Sequence, residues 1–211
     1  MNRRALPVTT ALATGAALLL TACGGGGDAS SSDKVKGVDQ TSSSPSASRS
    51  AAPSDGRPEI SLPATFQMEF QGWTSTDPEK QAVMNDGKER LRAVHAAIIA
   101  DQPTTAPMEF YSSGNALTTG RAYVKDYMDD NVTLIGKAII SDPKVDFLSK
   151  QRATLFYCMD EGQGSTKDRK TGAVKGTPKG VNPHVLYMTG VTKNPEGVWK
   201  TATVETKRGG C

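Results

Sequence analysis

The chain carries 25 basic and 22 acidic residues in 211, a formal net charge of +3, with three cysteines and two histidines. Arg3 and Arg4 lie in a removable leader, which leaves 23 basic residues against 22 acidic ones. That balance offers no electrostatic footprint for nucleic acid or an anionic surface, and two isolated histidines make a weak case for a metal.

In chain order, Arg3-Arg4 precedes an alanine- and leucine-rich run that ends at Leu20. The run is shorter than the roughly 20 apolar residues a membrane helix needs, so residues 1–22 read as a signal peptide. Leu20-Thr21-Ala22-Cys23 resembles the bacterial lipobox. The resemblance implies lipidation of the Cys23 thiol, cleavage before it, and a location on the outer face of the cell membrane. Two or more acyl chains hold a protein on a bilayer where one is marginal. The paired arginines also fit twin-arginine export, so the export route, general or twin-arginine, stays open. Residues 23–58 are rich in Gly, Ser, Ala and Pro without apolar periodicity. They read as a flexible linker spanning on the order of 30 Å.

Residues 59–211 suit one compact domain. Phe66, Met68 and Phe70 alternate with polar residues, predicting a strand within 60–71. Asp77-Pro78 predicts a helix start, and Met84, Gly87, Leu91, Val94 and Ile98 predict its apolar stripe, with Arg90 off it. Asp101-Gln102-Pro103 closes that helix. A second helix is expected over 116–130. Strands follow over 132–140, 151–160, 182–191 and 198–205. Ser141-Asp142-Pro143 reads as a turn, Lys193 to Gly197 as a hairpin turn, and 161–181 as a long basic loop. Helices followed by strands give an α+β fold, with helices packed on a curved four-stranded antiparallel sheet.

That order of elements looks like the NTF2-like, or cystatin-like, cone. The chain is also similar to a group of secreted actinobacterial lipoproteins, through Asp77-Pro78-Glu79-Lys80, Cys158-Met159-Asp160, Lys170-Thr171-Gly172, Gly197-Val198-Trp199 and Arg208-Gly209-Gly210-Cys211. The resemblance implies fold and location only, because this fold hosts enzymes, binders and scaffolds alike.

With Cys23 assigned to lipid, Cys158 and Cys211 form an even pair in an exported chain and predict a structural disulfide. No nucleophile elbow, phosphate loop, dinucleotide fingerprint or metalloprotease motif occurs. His95 reads as a helix-face residue, His184 as a rim residue, and Asp126 and Asp146 as solvated acids. Asp129-Asp130-Asn131 lacks the spacing of a calcium loop. Trp199, Tyr123, Tyr127 and Phe156 are candidates to line a pocket, and Trp73, Phe147 and Tyr157 either line it or fill the core. The expectation is a membrane-anchored, non-catalytic binding or scaffold domain without metal or cofactor. It would act on a cell-envelope protein or polymer, as monomer or dimer. The alternatives are a small-molecule binder using the concave face and a dehydratase- or isomerase-like enzyme.

Overall fold

The computed structural model describes residues 56–211; the leader, Cys23 and the linker as far as residue 55 lie outside the described residues. Strand β1 (Phe66–Phe70) buries Phe66 and half-buries Met68 and Phe70, while Gln67 and Glu69 face solvent. Helix α1 (Pro78–Ala100) starts where its cap chemistry puts it. The Asp77 carboxylate accepts from the amides of Glu79 and Lys80 at 2.9 and 3.2 Å. It stops at Asp101, whose φ of 59° turns the chain left-handed while its amide donates to Ile98 O at 3.2 Å. The expected stripe of Met84, Gly87, Leu91, Val94 and Ile98 is buried in full.

A short helix α2 (Ala106–Tyr111) is absent from the sequence reading, because six residues are too few for a helical period to show. Its cap signal is present in Thr105, whose side chain accepts from Met108 N. Helix α3 (Gly114–Asp129) matches the second expected helix and buries Ala116, Gly120 and Val124.

Strands β2 (Val132–Ser149), β3 (Arg152–Asp168), β4 (Val174–Gly176), β5 (His184–Lys193) and β6 (Trp199–Arg208) complete one sheet with β1. Its order is β1-β2-β3-β5-β6, with β4 paired to β3. This corrects the expected four antiparallel strands to a mixed sheet of six, since β1 runs parallel to β2, with Phe66 opposite Gly136 and Phe70 opposite Ile140. The crossover from β1 to β2 is made by all three helices, as a parallel pair requires.

Two further expectations change. Ser141-Asp142-Pro143 does not turn the chain back; β2 continues through it, with a register shift between Ser141 and Lys144 and Asp142 at a φ of 54°. Turn residues flanked by strand on both sides make a bulge that bends the sheet. The long basic loop is also shorter than expected. β3 runs on to Asp168, turns at Arg169–Gly172, and returns as β4.

The helices cover one face of the sheet. Leu91, Val83, Trp73, Ile140, Leu155, Tyr157 and Trp199 centre one part of the core, and Ile98, Met108, Tyr111 and Val124 the other. Gly87 sets how closely α1 approaches β3: a Cβ there would fall inside the van der Waals surface of Leu155 Cδ2, and Leu155 is fully buried. In an exposed helix Gly to Ala would stabilise by about 1 kcal/mol. Here Gly87→Ala is expected to cost about 1–3 kcal/mol through overpacking. A urea unfolding midpoint below that of the wild type checks this, and a raised midpoint would place α1 farther from the sheet.

Candidate functional site

Alternation along β3 and β5 points Tyr157, Met159 and Tyr187 at the helices. Tyr157 and Tyr187 are register partners with rings stacked 5.0 Å apart. From α3, one turn apart, come Tyr123 and Tyr127, whose rings meet edge to face at 5.2 Å and whose hydroxyls lie 3.0 Å apart. Tyr123 leaves 41% of its surface open, so its ring stands at the surface. Arg208 on β6 bonds Glu161 at 2.9 Å and Asn182 O at 2.8 Å.

Beneath the tyrosines lies Arg90 of α1, 7% exposed. Among the described residues it has no carboxylate partner and its Nε is buried without an acceptor, while its guanidinium lies within reach of the Tyr157 hydroxyl. Tyr157, 2% exposed, has a buried hydroxyl whose polar neighbour is that guanidinium. The guanidinium is close enough to act electrostatically on the hydroxyls of Tyr157 and Tyr187. Burial keeps all four phenols protonated: Tyr187 is pushed up to about 12, and Tyr123, Tyr127 and Tyr157 are also raised by desolvation. Each hydroxyl is therefore a hydrogen-bond donor across the physiological range.

The neighbouring interior groups are already engaged. Asp86, one turn before Arg90 on α1, is 1% exposed and accepts from the Trp199 amide at 2.8 Å and from the Arg57 guanidinium. Burial pushes its carboxyl up, against the pull of Arg57 and the Trp199 amide. Arg57, which the sequence reading places at the end of the linker, thus joins the domain. His95 is buried, with its ring stacked 5.5 Å from Phe66. Its Nδ1 donates to Leu91 O at 2.8 Å, since a carbonyl can only accept.

The sequence-derived candidates are placed unevenly. Tyr123 and Tyr127 stand together on α3, near Tyr187. Trp199 is fully buried, packed against Phe147 at 5.8 Å, and so is core. Phe156 faces the opposite side of the sheet, where Lys144 Nζ lies 5.6 Å from its ring. His184 and Asp126 are exposed, and Asp146 is held by Lys144 at 2.7 Å. The residue the sequence reading missed is Arg90. It sits three after Gly87 and four before Val94, on the helical period of the stripe, and that spacing was its signal.

Cys158 and Cys211 are brought to disulfide distance, with Cα atoms 6.0 Å apart. Cys158 is register partner to Leu186 on β5, so the tail must fold back over β5 to reach β3. Gly209, at a φ of 69°, and Gly210 make that fold; a Cβ on Gly210 would come within 3.0 Å of Leu186 Cβ and of Lys207 O.

The basic turn divides into two uses. Arg169 is structural: its guanidinium donates to Ile98 O at 2.7 Å, closing the carbonyl end of α1 and complementing the helix dipole. The Asp168 carboxylate accepts from the amides of Lys170 and Thr171 at 2.9 and 2.6 Å, which consumes the donors an anion would want. The open depression lined by Thr133, Lys167 and Lys170 to Gly172 lies here, beside the C-terminal end of α1.

No family model matches the sequence, and no curated protein matches it. Among solved structures the chain is similar to a ketosteroid isomerase-like protein from Erwinia carotovora atroseptica, 14% identical over 63% of this chain and 97% of that one, with a TM-score of 0.44. It is similar to an NTF-2 like protein of unknown function from Shewanella oneidensis, 15% identical over 58% of this chain and 96% of that one, with a TM-score of 0.36. It is also similar to the intermembrane space region of the chloroplast protein ARC6, 12% identical over 59% of this chain and 92% of that one, with a TM-score of 0.38.

Proposed function

We propose that this is a lipid-anchored extracytoplasmic protein whose domain, an NTF2-like cone, binds a small molecule from the cell envelope without transforming it. The observation that supports the binding reading is the tyrosine cluster: stacked Tyr157 and Tyr187 beside the buried Arg90, with the α3 pair Tyr123 and Tyr127 near Tyr187. The non-catalytic reading is supported by the interior acid and imidazole, since Asp86 and His95 are both spent on internal bonds. The anchored reading rests on Leu20-Thr21-Ala22-Cys23 and the Gly/Ser-rich linker after it.

The test is native mass spectrometry on the full exported chain, released from membranes in detergent. The expected species is a diacylglyceryl-modified chain beginning at Cys23, with a fraction carrying one further small molecule. A chain exported without lipid overturns the anchor. A persistently bare chain in which every purified envelope extract also fails to add mass overturns the binding reading.

A further inference from the structure

We infer that the end of the β2–β3 hairpin, Phe147 and Leu148 with Lys150 and Arg152 beside them, is a docking surface for an anionic phospholipid bilayer, the one to which the chain is anchored. The inference rests on the anchored reading above and says which side of the domain the membrane meets.

The first observation is where the open apolar side chains are. Leu148 is 67% exposed and Phe147 36%, and they are adjacent, unlike the other exposed large apolar residues described. A single leucine in water needs no explanation. This pair stands at a turn that is held in place: Ser149 is register partner to Arg152, and the Lys193 amide donates to Gln151 O at 2.9 Å. A tip already ordered loses little freedom when it enters a headgroup layer.

The second observation is charge. Lys144 and Lys193 hold the acids Asp146 and Glu79, at 2.7 and 3.8 Å, which leaves Lys150, Arg152 and Lys200 without a carboxylate partner among the described residues. Arg152, Thr192 and Lys200 are register partners in one row across β3, β5 and β6. The chain as a whole is near neutral, but a bilayer meets only the side turned to it. Each Lys or Arg near an anionic surface is worth roughly fivefold in binding. A basic patch beside a lipid anchor is the second signal that makes such anchoring stable.

The third observation is where the tether ends. The chain outside the described residues reaches the domain at Arg57, whose guanidinium holds Asp86. Asp86 accepts from the Trp199 amide at 2.8 Å, and the Trp199 ring packs on Phe147 at 5.8 Å. The tether is therefore fastened to the side of the domain that bears the hairpin tip. Val174, also exposed, lies opposite Lys167 at the other end of β3, about 50 Å of strand away.

The experiment places the full mature chain in vesicles of phosphatidylcholine, with or without phosphatidylglycerol, whose acyl chains carry bromine. Leu148→Trp and Val174→Trp each add a fluorescent reporter, over a constant background from Trp73 and Trp199, which are buried. The expected result is a reporter at position 148 that is blue-shifted and quenched, and one at position 174 that is neither. On vesicles with phosphatidylglycerol, Lys150→Gln in the Leu148→Trp background should lower the ratio of docked to undocked domain about fivefold, and on phosphatidylcholine alone it should change nothing. Quenching at position 148 that ignores both phosphatidylglycerol and Lys150→Gln overturns the anionic assignment. Equal quenching of the two reporters, or of neither, in a chain whose mass shows the lipid overturns the docking surface and leaves the anchor standing. A chain whose mass shows no lipid overturns the anchor, and this inference with it.

Discussion

Cys211→Ser is expected to destabilise the domain by about 4 kcal/mol, the loop-closure entropy that a cross-link over 53 residues removes from the unfolded chain. In a domain of this size that lowers the thermal midpoint by roughly 8–16 °C. Circular dichroism melts with and without reductant check it. Reducing the wild type should reproduce the drop, and reducing the variant should add nothing. The intact mass of the wild type should be two hydrogens below that of the reduced chain. The effect comes from the tail as well as the loop, because Gly209 to Cys211 has no other strong hold than amide bonds from Gly209 to His184 O at 2.8 Å and from Gly210 to Lys207 O at 3.1 Å. A melt that ignores both the substitution and the reductant would mean that the two thiols stand near one another without joining.

The second large effect is a loss of stability on mild acidification. Burial drives the His95 pKa from 6.5 to about 4, with the Arg90 charge adding to the shift and the bond to Leu91 O opposing it. The folded state therefore holds a neutral ring while the unfolded chain takes up a proton below pH 6.5. Protons bind the unfolded state more, so stability falls as pH falls, and the loss is complete near pH 4. The shift corresponds to about 3 kcal/mol. Asp86 works in the other direction, since its raised carboxyl gains a proton in the folded state first. The comparison that isolates His95 is the stability of His95→Gln minus that of wild type at each pH. That difference should grow in favour of the variant between pH 6.5 and 4 and stay flat above 7. Glutamine keeps a donor for Leu91 O, so a flat difference throughout would show that the imidazole is solvated.

Local chemistry was legible where a single residue decides a local event. Asp77 and Pro78 announce the start of α1, the left-handed Asp101 its end, and Asn194 to Gly197 the last hairpin. Pairing was not legible in the same way. The alternation of Phe66, Met68 and Phe70 reveals a strand but says nothing of its neighbour, so the parallel partner β2 became visible only in three dimensions. Ser141-Asp142-Pro143 has the composition of a turn, and a bulge uses the same residues; the ladder on the far side, from Lys144 opposite Phe156, is what separates them. The extension of β3 through Glu161, Gly162, Gln163 and Gly164 was hidden by glycine and polar residues that satisfy no strand pattern.

The candidate site was half legible. Tyr123 and Tyr127 stand out as aromatic residues on the second helix, and they pair edge to face there. Arg90 was placed off the apolar stripe because arginine is rarely buried, although its place on the helical period points inward. Trp199 and Phe156 fell the other way. One strand face is core and the other is open, and composition alone does not say which side of the sheet the helices will cover.

The stapled tail has a mechanical consequence. In the proposed anchored protein the domain would be pulled from its N-terminal end, and any load attached at the C-terminus would enter through Cys211. With Cys211 joined to Cys158, that load passes directly into β3, in the middle of the sheet, and bypasses β5 and the edge strand β6. The chain between the two cysteines, which are 53 positions apart, becomes a closed ring that cannot be drawn out, withholding about 180 Å of extension. The walls of β5 and β6 around the tyrosines, Tyr187 and Arg208 included, would keep their shape under a tension that stretched the linker taut.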